Sequence, residues 1–240
     1  MNVLYCGDDE KAKLYILGSL EYLGFEAQHV APESPFPGIT NDVSTLILSD
    51  YPARMISFEQ GREIGKFIAA GGKLLMIGGW ESFNGMGNNY SGHPVGDILP
   101  VELQSGDDRV QRTLVVRPTE HTPPDAGLTG FEPVVICGYN AAKPKKLARV
   151  LIAMSPLKYI GGTSNVALGE EIPLVTVITH GEGTVVACQT DLAPHWSGGL
   201  GDWGANDPEE LVQGERLITL PTGNQVGYVY PKFLKLMLEA

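Results

Sequence analysis

The first part of the chain alternates short apolar runs with segments whose apolar positions recur at helical spacing. The runs predict four strands, at residues 3–6, 25–30, 43–49 and 73–77. Segments 11–23 and 57–71 predict helices, the second opening on the capping-box pattern Ser57-Phe58-Glu59-Gln60. Because nearly continuous apolar strands separated by helices are typical of a parallel sheet covered on both faces, the pattern predicts a doubly wound α/β fold.

The second part of the chain has a different pattern. Further strands are predicted at residues 110–117, 133–137, 148–154, 174–179 and 184–188, and a helix at 231–239. The turn His180-Gly181-Glu182-Gly183 predicts a hairpin, so the sheet should have an antiparallel extension. Two Gly-rich segments, 84–96 and 194–207, show no period, and the first is expected to be a lid-like or disordered loop. No linker divides the chain, which predicts a single domain over residues 1–240.

Charge narrows the range of partners. The 17 basic and 28 acidic residues give a formal net charge of −11, and no basic cluster offsets it. Such a chain repels phosphate backbones and anionic lipid, so we expect neither nucleic acid nor a membrane as a partner. No apolar stretch approaches the roughly 18–20 residues needed to span a bilayer, and the first ten residues lack the apolar region of a leader. A cytoplasmic location is therefore expected.

The cysteines and glycines indicate no cofactor. Cys6, Cys137 and Cys188 each follow an apolar run and lack metal-type spacing, which predicts reduced, buried core residues. Cys6 ends the first strand and is the one thiol considered as a relocated nucleophile. The 30 glycines form no phosphate-binding motif, and no His/Asp/Glu spacing resembles a metal site. We therefore predict neither a metal nor a cofactor.

Candidate site residues follow the ends of the predicted strands. In doubly wound sheets, ligands bind outside the carboxyl ends of the strands, near the point where strand order reverses. The segments expected there are Cys6-Gly7-Asp8-Asp9, Ser49-Asp50, Gly78-Gly79-Trp80-Glu81-Ser82, Gln189-Thr190-Asp191 and Pro194-His195-Trp196. Several acids, a histidine and two tryptophans are thus expected to converge on one crevice.

Several sequence blocks resemble the class I glutamine amidotransferase fold. These blocks are TLILSDY, EQGREIGKFIAAGG, KLLMIGGW and, near the end, GEGTVVACQTDLAPHW. More narrowly, SDY, GGKLLMIGGWESF and TDLAPHW are similar to the uncharacterised glutamine amidotransferase-like families, which are relatives of the ThuA-like proteins. The resemblance implies a flavodoxin-like doubly wound, mostly parallel sheet with helices on both faces.

The departure from that family bears on activity. The resemblance implies a cysteine on an elbow directly after the strand at 73–77, but Gly78-Gly79-Trp80 stands there and the first hydroxyl is Ser82. The family's histidine turn is matched only loosely, by Asp191 or His195. Since a thioester mechanism needs a thiolate and a histidine base, we expect no glutaminase activity and hence a pseudoenzyme.

Two hypotheses of function follow. In the first, the crevice binds a small polar metabolite of the sugar or carboxylate class through Asp50, Gly79, Trp80 and Trp196, with His93 as a lid contact. Turn capping by Asp50, loop packing by the tryptophans and a solvated His93 are the structural alternatives. In the second, a hydrolase or isomerase uses His195 with Asp191 or Glu81 for acid–base chemistry. A surface-loop role is the alternative for His195.

A third reading is a non-catalytic subunit of a larger assembly, in which a partner supplies the chemistry. A homo-oligomer is also compatible with the sequence, because loops rich in glycine and tryptophan can supply aromatic hot spots to an interface.

Overall fold

The computed structural model describes residues 2–86, 90–124, 134–161, 165–197 and 217–240. The helices are α1 (Lys13–Tyr22), α2 (Phe58–Ala69), α3 (Pro94–Ile98), α4 (Pro194–Ser197) and α5 (Val229–Glu239), with a short 3-10 helix at Ala53–Met55. The strands of the first part are β1 (Asn2–Gly7), β2 (Glu26–Val30), β3 (Val43–Ser49), β4 (Lys73–Ile77), β5 (Val101–Leu103), β6 (Arg109–Pro118) and β7 (Val135–Asn140). The later strands are β8 (Ala142–Pro144), β9 (Arg149–Tyr159), β10 (Val166–Leu168), β11 (Ile172–His180), β12 (Gly183–Cys188), β13 (Leu217–Thr219) and β14 (Gln225–Gly227).

One large mixed sheet runs through the molecule in the order β2-β1-β3-β4-β12-β11-β9-β6-β7, with β10 paired to β9. The strands from β2 to β12 are parallel to one another. From β12 onward every pairing along this order is antiparallel. The predicted α/β class with a mixed sheet is thus confirmed, and so is the β11–β12 hairpin.

Two apolar cores lie on opposite faces of this sheet. Alternate residues of β1 point to opposite faces, so Val3 and Tyr5 join one core while Leu4 and Cys6 join the other. The first core also contains buried residues of α1 and α5, and the second contains those of α2 and α3. Helices therefore cover both faces of the parallel half.

The elements of the first part agree closely with their predicted positions. Ser57 forms the predicted capping box, because its side chain accepts a hydrogen bond from the Gln60 amide and the Gln60 side chain accepts one from the Ser57 amide. The segment 84–96 differs from its prediction. The short helix α3 begins inside it, after the N-cap residue His93.

The exposure of Cys137 corrects another prediction. Cys6 and Cys188 are buried as expected, but Cys137 is exposed. β7 is the last strand of the sheet order, and its buried and exposed positions alternate around residue 137. An apolar run on an edge strand therefore does not bury every one of its residues.

Candidate functional site

The carboxyl ends of β1 and β3 lie in direct contact. A Cβ atom at Gly7 would lie 1.6 Å from the Ser49 carbonyl oxygen, and the Asp8 amide donates a hydrogen bond to that oxygen at 3.0 Å. Asp8 and Asp50, which follow these strands, both have positive φ angles, of 50° and 46°. Such values are uncommon for residues other than glycine. The strand order reverses here, since β2 lies on one side of β1 and β3 on the other.

Asp8 is a buried carboxyl group in an unusual electrostatic environment. The Tyr5 hydroxyl donates a hydrogen bond to its Oδ2 atom. Burial raises the pKa of Asp8 well above its usual range, and the charges of Asp191 and Asp50 raise it further. The hydrogen bond from Tyr5 acts in the opposite direction but does not overcome these effects. The environment therefore favours the protonated form of Asp8.

An open cleft of about 560 Å³ lies over this point. Its ionisable lining consists of five acids and one lysine: Asp8, for which the protonated form is favoured, and Asp9, Glu33, Asp50, Glu81 and Lys11. Arg54 lies near two of these acids, 3.2 Å from Glu33 Oε1 and 3.6 Å from Glu81 Oε2. The cleft has the size of a small-molecule site and a strongly acidic wall.

The first two residues after β4, Gly78 and Gly79, have no space for a side chain. A Cβ atom at Gly79 would lie 2.0 Å from Asp50 Oδ1, and one at Gly78 would lie 2.5 Å from the Gln189 carbonyl oxygen. The same Asp50 oxygen accepts a hydrogen bond from the Glu81 amide at 2.9 Å. Asp50 thus holds the elbow from one side, and at Gly78 and Gly79 neighbouring atoms fill the space that a side chain would need.

A buried polar network holds the elbow from the other side. The Asn140 side chain accepts a hydrogen bond from the Gly79 amide at 2.8 Å and donates one to the Gly79 carbonyl at 3.0 Å. It also donates to Asp108 Oδ1 at 2.8 Å, while the Asp108 carboxylate accepts hydrogen bonds from the amides of Asn84 and Gly85. Sequence reasoning missed Asn140 and Asp108, because neither belongs to a motif and they meet only in the folded chain.

Some of the predicted site residues line the cleft or lie beside it, and the others lie elsewhere in the structure. Asp50 and Glu81 line the cleft, and Gly79 lies against Asp50. Asp191 is buried at the end of β12, where its Oδ1 atom accepts a hydrogen bond from the Ala193 amide at 2.6 Å. Its charge acts on Asp8, so it belongs to the same carboxylate group.

The two tryptophans do not line the cleft. Trp196 is buried and its ring packs on Gly138 of β7, where a Cβ atom would lie 2.6 Å from the ring. Trp80 is partly exposed, and the Arg109 guanidinium lies 4.5 Å from its ring centroid. Loop packing is the structural alternative stated for both tryptophans, and the buried ring of Trp196 has such a packing position.

The histidines have different positions in the structure. His93 is buried between α2 and α3: one ring nitrogen accepts a hydrogen bond from the Val95 amide, and the other lies 3.0 Å from the Ile56 carbonyl oxygen. Neither the lid position nor the solvated position expected for His93 is found. His195 lies in α4, and its side chain is outside the described part of the structure.

The buried thiols are poorly suited to nucleophilic chemistry. Burial raises the pKa of Cys6 to about 12, and the same cause raises the pKa of Cys188 to about 12. A thiolate is the reactive form, so these groups are inert near neutral pH. Among the described residues, no group of three or more His, Cys, Asp and Glu side chains has a metal-binding arrangement. Within the same ranges, no helix is long and apolar enough to cross a membrane.

A larger depression, of about 700 Å³, lies at the opposite end of the parallel strands. It is lined by the loop before β3, by α2 and by Gly71 and Gly72, which precede β4. Its charged residues, Glu63 and Lys66, are exposed and pair with each other. Because ligands of such sheets bind at the carboxyl ends, the acidic cleft is the stronger candidate.

The large mixed sheet, with helices on both faces of its parallel half, defines an α/β protein. The chain belongs to the family described as "Putative glutamine amidotransferase", whose sequence model matches residues 44–207. No curated protein matches the chain significantly.

Two solved structures from Salmonella typhimurium are similar in fold. The cytoplasmic protein STM3548 has 20% sequence identity and a TM-score of 0.72, with 100% of this chain and 98% of that chain covered. The cytoplasmic protein STM1381, from strain LT2, has 22% identity and a TM-score of 0.67, with 82% of this chain and 90% of that chain covered. At these identities the likeness establishes the fold alone.

The raised pKa of Asp8 predicts a pH dependence of stability. Between the unfolded pKa, about 3.9, and the higher folded value, the native state binds more protons than the unfolded state, so the free energy of unfolding falls as pH rises. Asp8→Asn keeps an oxygen for Tyr5 and removes the titration. Urea unfolding should therefore show the variant gaining stability relative to the wild type as pH rises from about 4.

Asp107→Asn serves as a control, because the pKa of Asp107 is shifted in the opposite direction to that of Asp8. Hydrogen bonds from Arg109 lower the pKa of the exposed Asp107 to about 2, so any stability it contributes is lost as pH falls. A difference between wild type and Asp8→Asn that stays constant with pH would contradict the environment described for Asp8.

Proposed function

We infer that the acidic cleft binds a small, hydroxyl-bearing polar molecule and that the chain lacks glutaminase activity. One observation carries this proposal: Asp8, Asp50 and Glu81 follow three neighbouring parallel strands and line one cleft at the point where strand order reverses. Carboxylates accept hydrogen bonds from sugar hydroxyls. Apart from Asp8, whose protonated form is favoured, the four acids of the lining outnumber Lys11 and the nearby Arg54, which disfavours anions. Of the sugar and carboxylate classes, the structure thus favours the sugar class.

The elbow supports the absence of the amidotransferase reaction. Neighbouring atoms fill the space that a side chain at Gly78 or Gly79 would need, and the thiols of Cys6 and Cys188 are buried with raised pKa values. The chain would then be a family member that keeps the scaffold and uses the strand ends for binding.

The proposal also includes the fold type, the number of domains and the cellular location. The order β2-β1-β3-β4-β12 of the parallel strands, with helices on both faces, supports a flavodoxin-like doubly wound arrangement in one domain over residues 1–240. The names of the two Salmonella relatives support a cytoplasmic location.

The absence of glutaminase activity predicts resistance to an electrophilic glutamine analogue. After exposure of the Cys137→Ser variant, which removes the one exposed thiol among the described residues, intact mass should be unchanged. Any adduct mapped to Cys6 or Cys188 would contradict the proposal. A true amidotransferase treated in parallel provides the positive control.

Ligand binding is tested by calorimetry with neutral sugars, amino sugars and the matching uronic acids. Neutral or amino sugars should bind more tightly than uronic acids, because the cleft wall is acidic. Asp50→Asn should weaken binding about tenfold or more, since a hydrogen bond to a charged group contributes about 1.5–3 kcal/mol. Glu59→Gln, on the exposed first turn of α2, is the matched control. Equal binding by both variants would place the ligand elsewhere.

A second candidate function is acid–base catalysis by a hydrolase or isomerase. The favouring observation is the group formed by Asp8, with its raised pKa, and the nearby Asp191, since a carboxyl group that stays protonated beside a second carboxyl group can act as an acid. The hypothesis drawn from the sequence pairs His195 with Asp191 or Glu81, and Asp8 joins them through its position in the structure. Glu81 lines the same cleft.

Catalysis by this group predicts a bell-shaped pH–rate profile. Nitrophenyl esters and nitrophenyl glycosides provide a simple panel for detecting turnover. Asp191→Asn should abolish the turnover of any substrate found, while Glu59→Gln should leave it unchanged. Turnover that persists in Asp191→Asn would exclude this group as the catalytic centre.

A further inference from the structure

The lining of the acidic cleft is not uniformly polar. Its apolar residues are Ala12, Tyr15, Pro32 and Ala193. Tyr15 lies three residues after Ala12, and its amide donates a hydrogen bond to the Ala12 carbonyl at 3.2 Å, so the two side chains lie on one face of the helical turn. Among the described residues that line the cleft, Tyr15 is the one with an aromatic ring, in place of the two tryptophans that the sequence predicts there.

The ring of Tyr15 is held in position from the side of the apolar core. It packs against Tyr230, with the two ring centroids 6.4 Å apart and the ring planes at 57°. Tyr230 is buried, and its hydroxyl donates a hydrogen bond to the Leu192 carbonyl at 2.8 Å. Tyr15 itself is only partly buried. Because this contact fixes the ring before a ligand arrives, binding against it costs little conformational entropy.

The cleft thus combines an aromatic ring with hydrogen-bond acceptors. Asp50 and Glu81 line the same cleft as Tyr15, and carboxylates accept hydrogen bonds from hydroxyl groups. A pyranose ring carries hydroxyl groups around its edge and C–H groups on its faces. An acyclic polyol has similar hydroxyl groups but no fixed apolar face. The lining therefore matches a cyclic sugar better than an open-chain one.

We propose that Tyr15 determines specificity for pyranose sugars, with a C–H face of the sugar stacked on the Tyr15 ring while hydroxyl groups of the sugar donate to Asp50 and Glu81. This inference rests on the proposed function and narrows its ligand class from hydroxyl-bearing molecules to cyclic sugars. The stacking contact involves no charged group, so its contribution should persist at high salt.

Calorimetry with matched ligands tests the proposal. The probes are the methyl pyranosides of glucose, galactose and mannose, each paired with its acyclic polyol: glucitol, galactitol or mannitol. At least one pyranoside should bind the wild type more tightly than its matched polyol. Tyr15→Leu keeps apolar bulk without the ring and should weaken pyranoside binding about three- to tenfold, the scale of one aromatic contact, while leaving any polyol binding unchanged. Tyr15→Phe should bind like the wild type.

Tyr22→Leu is the matched control. Tyr22 ends the same helix, is 51% exposed and is absent from the lining of the cleft. Circular dichroism melts check that Tyr15→Leu stays folded. NMR of the wild type with bound pyranoside gives a second readout, which does not depend on the folding of a variant. Stacking on an aromatic ring should shift the C–H proton resonances of the sugar upfield, which a purely structural role of Tyr15 would not do.

The outcomes distinguish this inference from the proposed function. A wild type that binds no sugar would overturn both. Sugar binding that Asp50→Asn weakens but Tyr15→Leu leaves unchanged, without upfield shifts in the wild type, would overturn the stacking contact alone. Equal affinity for the pyranosides and their matched polyols would overturn it as well.

Discussion

The carboxyl ends of the parallel strands approach so closely that several backbone positions have no space for a side chain. The Ser49 carbonyl excludes a Cβ atom at Gly7, and the Asp50 carboxylate excludes one at Gly79. This steric limit decides which residues reach the cleft. Gly78 and Gly79 are the two positions after β4 that exclude a side chain, and the acids that follow the strand ends and line the cleft are Asp8, Asp50 and Glu81.

The two halves of the sheet contribute differently to this site. The parallel strands supply the acids, and the antiparallel strands supply the support, because Asn140 at the end of β7 and Asp108 just before β6 bond to the elbow loop. Burial of Asp8 beside other carboxylates is electrostatically unfavourable. A residue with a purely structural role does not require such an environment. Buried acids with shifted pKa values are common at functional sites. For this reason the cleft, and not the larger depression near α2, is the candidate functional site.

Local signals in the sequence were sufficient for much of the fold. The strand β3 was predicted at its observed bounds, and the Ser57 capping box was read from four residues, because both depend on near neighbours. Asp50 and Glu81 were placed by the rule that ligands bind after strand ends. Asn140 could not be found this way, since its partner Gly79 is 61 residues away in sequence. His93 and Cys137 show the same limit, because the helix that buries the first and the sheet edge that exposes the second are tertiary features.

The position of β12 has a consequence for the order of folding. β12 is parallel to β4 and antiparallel to β11, so it joins the two halves of the sheet. β4 ends at Ile77 and β12 begins at Gly183, which means that the fifth parallel strand is synthesised long after the fourth. Closing so long a stretch of chain is slow, and β4 presents an open apolar edge until it happens. A ribosome translating this chain therefore leaves the edge of a four-stranded sheet uncovered while residues 78–188 are added, so the topology requires that this edge be protected during synthesis.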